Sequence, residues 1–234
     1  MRQTVSTTLS QKIDALRRCR YFTGLSSAVL AELAQGAALW HCERGEALFW
    51  QDEPCSGLHI IARGAVKLFK VSPQGREFIF RVLDAGATFN EVSVFDGGLN
   101  PLNAATLEES DLWVVEAAVV QQAIRNHPEM YQAVVLNLTH NLRMFVNMIE
   151  ELSFYQVTHR LARLLSQLPA DTSQRGAASR LTQDQLAAHL GTVREVMARS
   201  LRELERSGAI RVERRQIYVV DKAILQQWVE ATEN

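Results

Sequence analysis

The chain has 234 residues, 47% hydrophobic and 22% charged, with a formal net charge of −1. That is enough apolar material for two modest packed domains or one large one, and no apolar run approaches the roughly 20 residues of a membrane helix. The polar N-terminus, MRQTVSTTLSQKIDALRR, lacks the apolar core of a signal peptide, so a cytoplasmic location with no membrane partner is expected.

Charge is unevenly distributed. Residues 1–159 carry 13 Lys and Arg against 17 Asp and Glu, a net of −4. Residues 160–234 carry 12 against 9, a net of +3, and every base there except Lys222 is an arginine. An acidic front and an arginine-rich back fit a sensor joined to a nucleic-acid reader. Three widely spaced cysteines, Cys19, Cys42 and Cys55, form no CxxC pair. They indicate neither a disulfide framework nor a zinc site, and an iron–sulfur cluster needs four ligands. No metal site is expected.

In chain order, residues 8–35 read as helices, with Ser26 or Ser27 as an N-cap. From about 39 to 117, short runs of Val, Ile and Phe alternate with turn signals such as Gly45, Pro54, Gly64, Gly75 and Gly86. Punctuation every 8–12 residues or so predicts an antiparallel β-sandwich or barrel. A hairpin is predicted around Ser72–Gly75. The stretch FNEVSVFDGGLNPLNAAT, 89–106, reads as strand, turn at Asp96-Gly97-Gly98, and strand. It has the outline of a phosphate cradle, yet it holds one acid, Glu91, and no base.

A long helix follows. Val135, Leu138, Leu142, Phe145, Ile149 and Leu152 recur at alternating spacings of 3 and 4. So narrow a seam packs against another helix, and its position between two domains favours a homodimer. Leu136, Val146 and Met148 widen the apolar surface toward the β domain. Residues 156–168 predict another helix, Pro169–Ser179 a loop, and the remainder helix, turn, helix, two short strands around Arg214-Arg215, and a closing helix.

The strongest local signal is LTQDQLAAHLGTVREVMARSLRELERSGAI, 181–210. Thr182 caps a helix that buries Leu186, Ala187 and Leu190, and Gly191 allows the sharp turn. A second helix from about Val193 buries Val196, Leu201 and Leu204 and closes at Ser207-Gly208. In such a helix-turn-helix the second helix enters the major groove. Arg194, Glu195 and Arg199 project from its leading end. Arginine pairs bidentately with guanine and glutamate accepts from cytosine, which suits a G·C-containing half-site such as GTG. Phosphate contacts fall to Thr182, Thr192, Arg202 and Arg215, with Arg206 and Arg214 also available.

These residues make the chain resemble the cyclic-AMP receptor protein/Fnr (Crp/Fnr) family of bacterial transcription regulators over nearly its whole length. The resemblance implies an α+β fold: a double-stranded β-helix (jelly-roll) sensor domain over 1–126, a dimerisation helix and hinge over 127–154, and a winged helix-turn-helix DNA-binding domain over 155–234. The pattern RExxxR matches the cyclic-AMP receptor form, implying a palindromic TGTGA-like site on double-stranded DNA. Phe154 takes the place of the hinge, and the loop Pro169–Ser179 that of a contact with RNA polymerase. The effector pocket is implied at Asn90, Glu91, Val92, Pro101, Leu102, Asn103, Phe145 and Val146. Here the chain departs from the family. Asn90 replaces the Gly before the ribose-binding Glu91, Pro101 and Leu102 stand where the phosphate-binding Arg and Ser belong, and Phe145 and Val146 replace a polar Thr-Ser pair. Cyclic AMP is therefore disfavoured, which leaves an apolar small molecule, or no effector at all with control by expression level. The effector is left unassigned, with heme as an alternative for which His41, His59, His127 and His140 are candidates in kind. Thiol-based redox sensing at Cys19, Cys42 or Cys55 is another alternative. The rival from a different class is a β-roll signalling adaptor without DNA recognition; no catalytic pattern with supporting spacing indicates an enzyme.

Overall fold

The computed structural model describes residues 3–167, 181–213 and 216–230. The expected loop Pro169–Ser179 and the pair Arg214-Arg215 lie outside the described residues. The chain divides into two compact units, residues 1–70 with 82–142, and residues 71–81 with 143–234.

In the first unit, β1 (Gln3–Val5) precedes α1 (Leu9–Arg17) and α2 (Ser27–Gln35). A Thr8–Gln11 capping box starts α1, and Ser26 caps α2 by accepting from the Val29 amide. β1 was not anticipated. It is three polar or exposed residues long and gains its structure from pairing with β2 (Ala37–Cys42), which no local pattern announces. The strands β3 (Ala47–Phe49), β4 (Gly57–Arg63), β5 (Ala65–Val71), β6 (Glu77–Asp84), β7 (Thr88–Phe89), β8 (Asn103–Thr106) and β9 (Ser110–Glu116) follow. They form two sheets, ordered β1-β2-β9-β4-β7 and β3-β8-β5-β6. Apolar side chains from both, among them Leu48, Phe49, Ile61, Leu68, Leu83, Phe89 and Leu112, bury one common core. This is the sandwich that the turn spacing predicts.

Two sequence expectations need correction. The segment after Phe89 is not a strand: Glu91–Asp96 forms a short helix, α3. Asn90 turns the chain into it in a left-handed conformation, φ 70°, which Asn tolerates better than other non-glycine residues. The apolar run VSVF suits a strand by period, but its helical form buries Ser93 and Val94.

The second correction concerns the long helix α5 (Met130–Phe154), which follows α4 (Ala117–Asn126). Leu136, expected to turn toward the β domain, is exposed, as is Val146, and Met148 is half-buried. The flank that packs into the core shared with α1, α2 and α4 is Met130 and Val134, with Leu138 partly buried beside them. The difference is one of helical phase, since residues 130, 134 and 138 lie one above another on one face.

In the second unit, α6 (Val157–Ser166), α7 (Gln183–His189), α8 (Arg194–Arg206), β10 (Ile210–Glu213), β11 (Gln216–Val219) and α9 (Lys222–Glu230) build the C-terminal fold around Leu161, Leu165, Leu186, Met197, Leu201, Leu204 and Leu225. The hairpin end of β5 and β6, residues 71–81, belongs to this unit.

Candidate nucleic-acid interface and sensor pocket

The helix pair α7–α8 forms as its sequence dictates. Thr182 Oγ1 accepts from the Gln185 amide at 3.2 Å while Gln185 Oε1 accepts from the Thr182 amide at 2.9 Å, a reciprocal capping box. Gly191, at φ 64°, makes the turn. Val193 is the N-cap residue of α8, and Ser207 with Gly208 at φ 83° ends it. The buried face of α8 is Met197, Ser200, Leu201 and Leu204; Val196, expected in the core, is only half-buried. The shift follows from helical phase, since Met197 lies three and four residues before Ser200 and Leu201.

Arg194, Glu195 and Arg199 are all exposed, on the side of α8 away from that core. Arg194 Nε lies 3.6 Å from Asp184 Oδ1 on α7, with both side chains about two-thirds exposed at 67% and 66%. Sequence reasoning missed this pair because it joins two helices across the turn. Of the expected phosphate contacts, Thr182 stands exposed at the start of α7, and Thr192 is half-buried with its amide donating to the Ala187 carbonyl at 2.9 Å. Arg202 is exposed, its Nε donating to the Ala198 carbonyl at 3.2 Å; Arg215 lies outside the described residues. The strands β10 and β11 pair antiparallel from Ile210–Val219 to Glu213–Gln216 and supply the wing.

On α5 the expected seam residues Val135, Leu142, Phe145, Ile149 and Leu152 are exposed, from 38% at Phe145 to 64% at Ile149, while Leu138 leans on the core. Phe154, the last residue of the helix, is 78% exposed. Beyond it, the Arg163 guanidinium sits 3.7 Å over the Tyr155 ring.

The stretch 89–106 gives the sensor side its character. Asn90 is buried, its amide nitrogen donating to Cys55 Sγ at 3.3 Å and Asn100 Oδ1 at 3.1 Å, while Ser93 Oγ donates to Asn90 Oδ1. Glu91 accepts from Thr88 Oγ1 at 3.0 Å and lies beside Tyr21, whose hydroxyl is driven up in pKa by burial and then by this carboxylate. Val92 is exposed. Three of the loop's amides are engaged: Gly97 donates to the Ser93 carbonyl, Gly98 to Asp96 Oδ1 at 2.7 Å, and Asn100 to the Glu53 carbonyl at 2.9 Å. Pro101 is exposed and has no N–H, and Leu102 packs against the sandwich core. Asn103 ties the walls together, accepting from the Gln51 amide at 2.8 Å and donating to the Phe69 carbonyl at 3.2 Å. Phe145 and Val146 are exposed on α5, in the other unit.

The four histidines do not converge. His41 Nδ1 contacts Asp111 Oδ1 at 2.7 Å at the surface, and His127 Nε2 lies 3.3 Å from Glu32. His59 is buried, stacked on Phe89 with ring centres 4.8 Å apart, and its Nδ1 is 3.0 Å from the Gly57 carbonyl. His140 is exposed on α5. Burial pushes the Cys19 thiol up to about 12 and also raises Cys55, so both resist becoming thiolates; Cys42 is buried. Among the described residues no group of three His, Cys, Asp or Glu is placed to hold a metal ion, and no helix is long and apolar enough to cross a membrane.

A two-sheet sandwich followed by a long helix and a winged helix-turn-helix defines a DNA-binding transcription regulator of the cyclic-nucleotide-receptor type. Known proteins agree. Residues 39–127 match the cyclic nucleotide-binding domain family and residues 159–228 the Crp-like helix-turn-helix domain family. A CRP-like cAMP-activated global transcriptional regulator of Mycobacterium tuberculosis is 29% identical, covering 89% of this chain and 95% of its own. The global nitrogen regulator of Synechococcus elongatus is 26% identical over 79% of this chain and 86% of its own. In fold, the c-di-GMP responsive global regulator CLP of Xanthomonas campestris is similar at a TM-score of 0.71 and 17% identity, over 84% of this chain and all of that one. The chain belongs to the Crp/Fnr family of transcription regulators.

Proposed function

We propose that the chain acts in the cytoplasm as a homodimer that reads a palindromic TGTGA-like site on double-stranded DNA, and that it does so as a regulator rather than an enzyme. The observation that carries this reading is the pair of opposite faces on α8: Met197, Leu201 and Leu204 inward, Arg194, Glu195 and Arg199 outward. Arg194 and Arg199 take guanines in the major groove and Glu195 takes a cytosine amine. Thr182, Thr192, Arg202 and Arg215 hold phosphates, which fix register without reading sequence. The seam Val135, Leu138, Leu142, Phe145, Ile149 and Leu152 pairs with its copy and sets the two reading helices about 34–36 Å apart, one turn of DNA. Phe154 serves as hinge, and the loop Pro169–Ser179 meets RNA polymerase.

The sensor pocket, in this reading, has lost cyclic AMP and accepts an apolar small molecule. Its support is chemical. The segment 89–106 contains no Lys or Arg, the amides of Gly97, Gly98 and Asn100 already donate within the protein, and Glu91 is engaged by Thr88. A desolvated phosphodiester without a cationic partner is strongly penalised. Relatives named for cyclic AMP and for nitrogen regulation both align, so membership of the family leaves the effector open. Heme gains no support from histidines that are surface-paired, exposed or packed in the core, and raised thiol pKa values weigh against redox sensing at Cys19 or Cys55.

Fluorescence anisotropy with a TGTGA palindrome and a scrambled duplex of equal length tests the DNA reading. Preference for the palindrome, weakening steeply with salt, is the expected result; equal affinity for both duplexes refutes it. Cyclic AMP at millimolar concentration should leave the melting temperature unchanged, since ligand at 100 times its Kd adds about 2.7 kcal/mol. A clear upward shift refutes the pocket assignment.

A further inference from the structure

The turn of the helix-turn-helix is held by a hairpin remote from it in sequence. Ser72 and Arg76 close the hairpin, the Ser72 amide donating to the Arg76 carbonyl at 2.8 Å and the Gly75 amide to the Ser72 carbonyl at 2.8 Å. From that tip the Arg76 guanidinium donates to the Gly191 carbonyl at 3.0 Å. His189 Nδ1 lies 3.1 Å from the Ile79 carbonyl, and since a carbonyl only accepts, Nδ1 carries the proton. A methyl group placed on Gly191 would meet the Phe78 ring at 3.1 Å and Leu152 at 3.2 Å, so both pack directly on the turn. Phe78 is itself set edge-on to Phe80, 4.7 Å between centres.

We propose that the hairpin 72–79 is a brace that sets the pose of the reading helix, with Arg76, Phe78 and His189 as positioning residues. Its contacts go to the backbone of the turn and to the face of α7 that carries His189. They leave Arg194, Glu195, Arg199 and Thr182 exposed, so the hairpin supports the reading surface without covering it. A pre-set α8 binds its specific site without first ordering the turn, whereas nonspecific phosphate contacts tolerate a looser head. The DNA part of this inference rests on the proposed reading of α8.

The test uses full-length protein and four variants. Arg76→Ala and His189→Leu remove one hydrogen bond each; Arg76→Lys and His189→Asn keep a donor at the same place. Two readouts are taken: amide exchange over residues 183–193 without DNA, and affinity for the palindrome against the scrambled duplex. The brace requires faster exchange, by roughly tenfold for loss of a bond worth about 1.4 kcal/mol, in Arg76→Ala and His189→Leu. It also requires a several-fold loss of specific but not of nonspecific affinity, and recovery of both in the conservative variants. Unchanged exchange in Arg76→Ala and His189→Leu, or no recovery in Arg76→Lys and His189→Asn, overturns it. Tighter specific binding in the Ala variant overturns it as well, because a brace cannot be an obstruction. If wild-type protein shows no preference for the palindrome, the reading of α8 fails while the exchange measurement still decides the brace.

Discussion

Replacing Gly191 by alanine isolates what the turn of the reading motif requires. Gly191 sits at φ 64°, in the left-handed region, where an L-residue costs roughly 1–2 kcal/mol. Against this, alanine restricts the unfolded chain and returns about 0.4–1 kcal/mol. Contact then decides the balance. The new methyl would stand 3.1 Å from the Phe78 ring and 3.2 Å from Leu152, closer than carbon atoms settle at about 3.5–4.0 Å, so the half-buried ring and the exposed Leu152 side chain must each give way by a few tenths of an ångström. The net expectation is about 1–3 kcal/mol of local destabilisation, shared between backbone strain and crowding. Gly208→Ala is the control: its φ is 83° but its methyl would meet only Ile224 at 3.7 Å, an ordinary contact. Hydrogen exchange of the α7 and α8 amides, followed at one pH and temperature, measures the opening free energy in each variant. Gly191→Ala should exchange faster than Gly208→Ala. If the two variants behave alike, the crowding by Phe78 and Leu152 is refuted; if Gly191→Ala is slower than wild type, the left-handed turn itself is refuted.

Three further outcomes follow from the same geometry. Arg194→Ala should lose about 1–3 kcal/mol per half-site for the specific duplex and relax preference at one base position; its exposed pairing with Asp184 is worth at most about 1 kcal/mol, so a large loss of fold stability in circular dichroism melts would show that its role is structural. Ile149→Asp places a carboxylate opposite its copy in the seam, and sedimentation equilibrium should show monomers at concentrations where wild type is dimeric; an unchanged dimer would move the interface off α5. Burial lowers the His189 pKa below its ordinary 6.5, only partly offset by the hydrogen bond to the Ile79 carbonyl. The unfolded chain therefore takes up this proton first, and the stability contributed by neutral His189 should fall as pH drops below about 6.5. Urea melts at stepped pH should show that slope in wild type and a shallower one in His189→Asn; equal slopes would assign the pH dependence elsewhere.

Local patterns made much of this protein legible. The Thr182 cap and the Gly191 turn each depend on residues within a few positions of one another, and the structure forms both; of the α5 seam, five residues lie exposed on the helix while Leu138 leans on the core. What escaped was set by partners distant in sequence. β1 exists because β2 offers it an edge. VSVF after Asn90 has strand-forming residues, yet it coils into α3 because Asn90 turns left-handed and Ser93 and Val94 then find buried partners. The inner flank of α5 was misassigned because a helix with apolar residues on several faces has no unique phase until its neighbours are known. At the segment 89–106, the absence of a base at Pro101 could be read from residue identity alone. That Glu91 is engaged by Thr88, and that the amides of Gly97, Gly98 and Asn100 donate within the protein, required coordinates.

Those amides bear on which class of effector the sandwich can take. For a nucleotide phosphate to settle on residues 97–101, it would have to draw N–H groups from bonds they already make, the Asn100 amide from the Glu53 carbonyl and the Gly98 amide from Asp96. Each exchange surrenders about 1 kcal/mol of net hydrogen bonding. It would also expose the phosphate to the Asp96 and Glu91 carboxylates with no Lys or Arg in the stretch to offset them. The Asn100 amide is costly to recruit, because that residue also receives the Asp52 amide on its carbonyl and donates from its side chain to the Trp50 carbonyl. Moving it loosens the whole β3–β4 connection. An uncharged, apolar ligand meets neither cost, and Leu102 already turns toward the same core. The loop that resembles a phosphate cradle is, at Gly97, Gly98 and Asn100, already tied to its own neighbours, with Leu102 packed on the apolar core behind it.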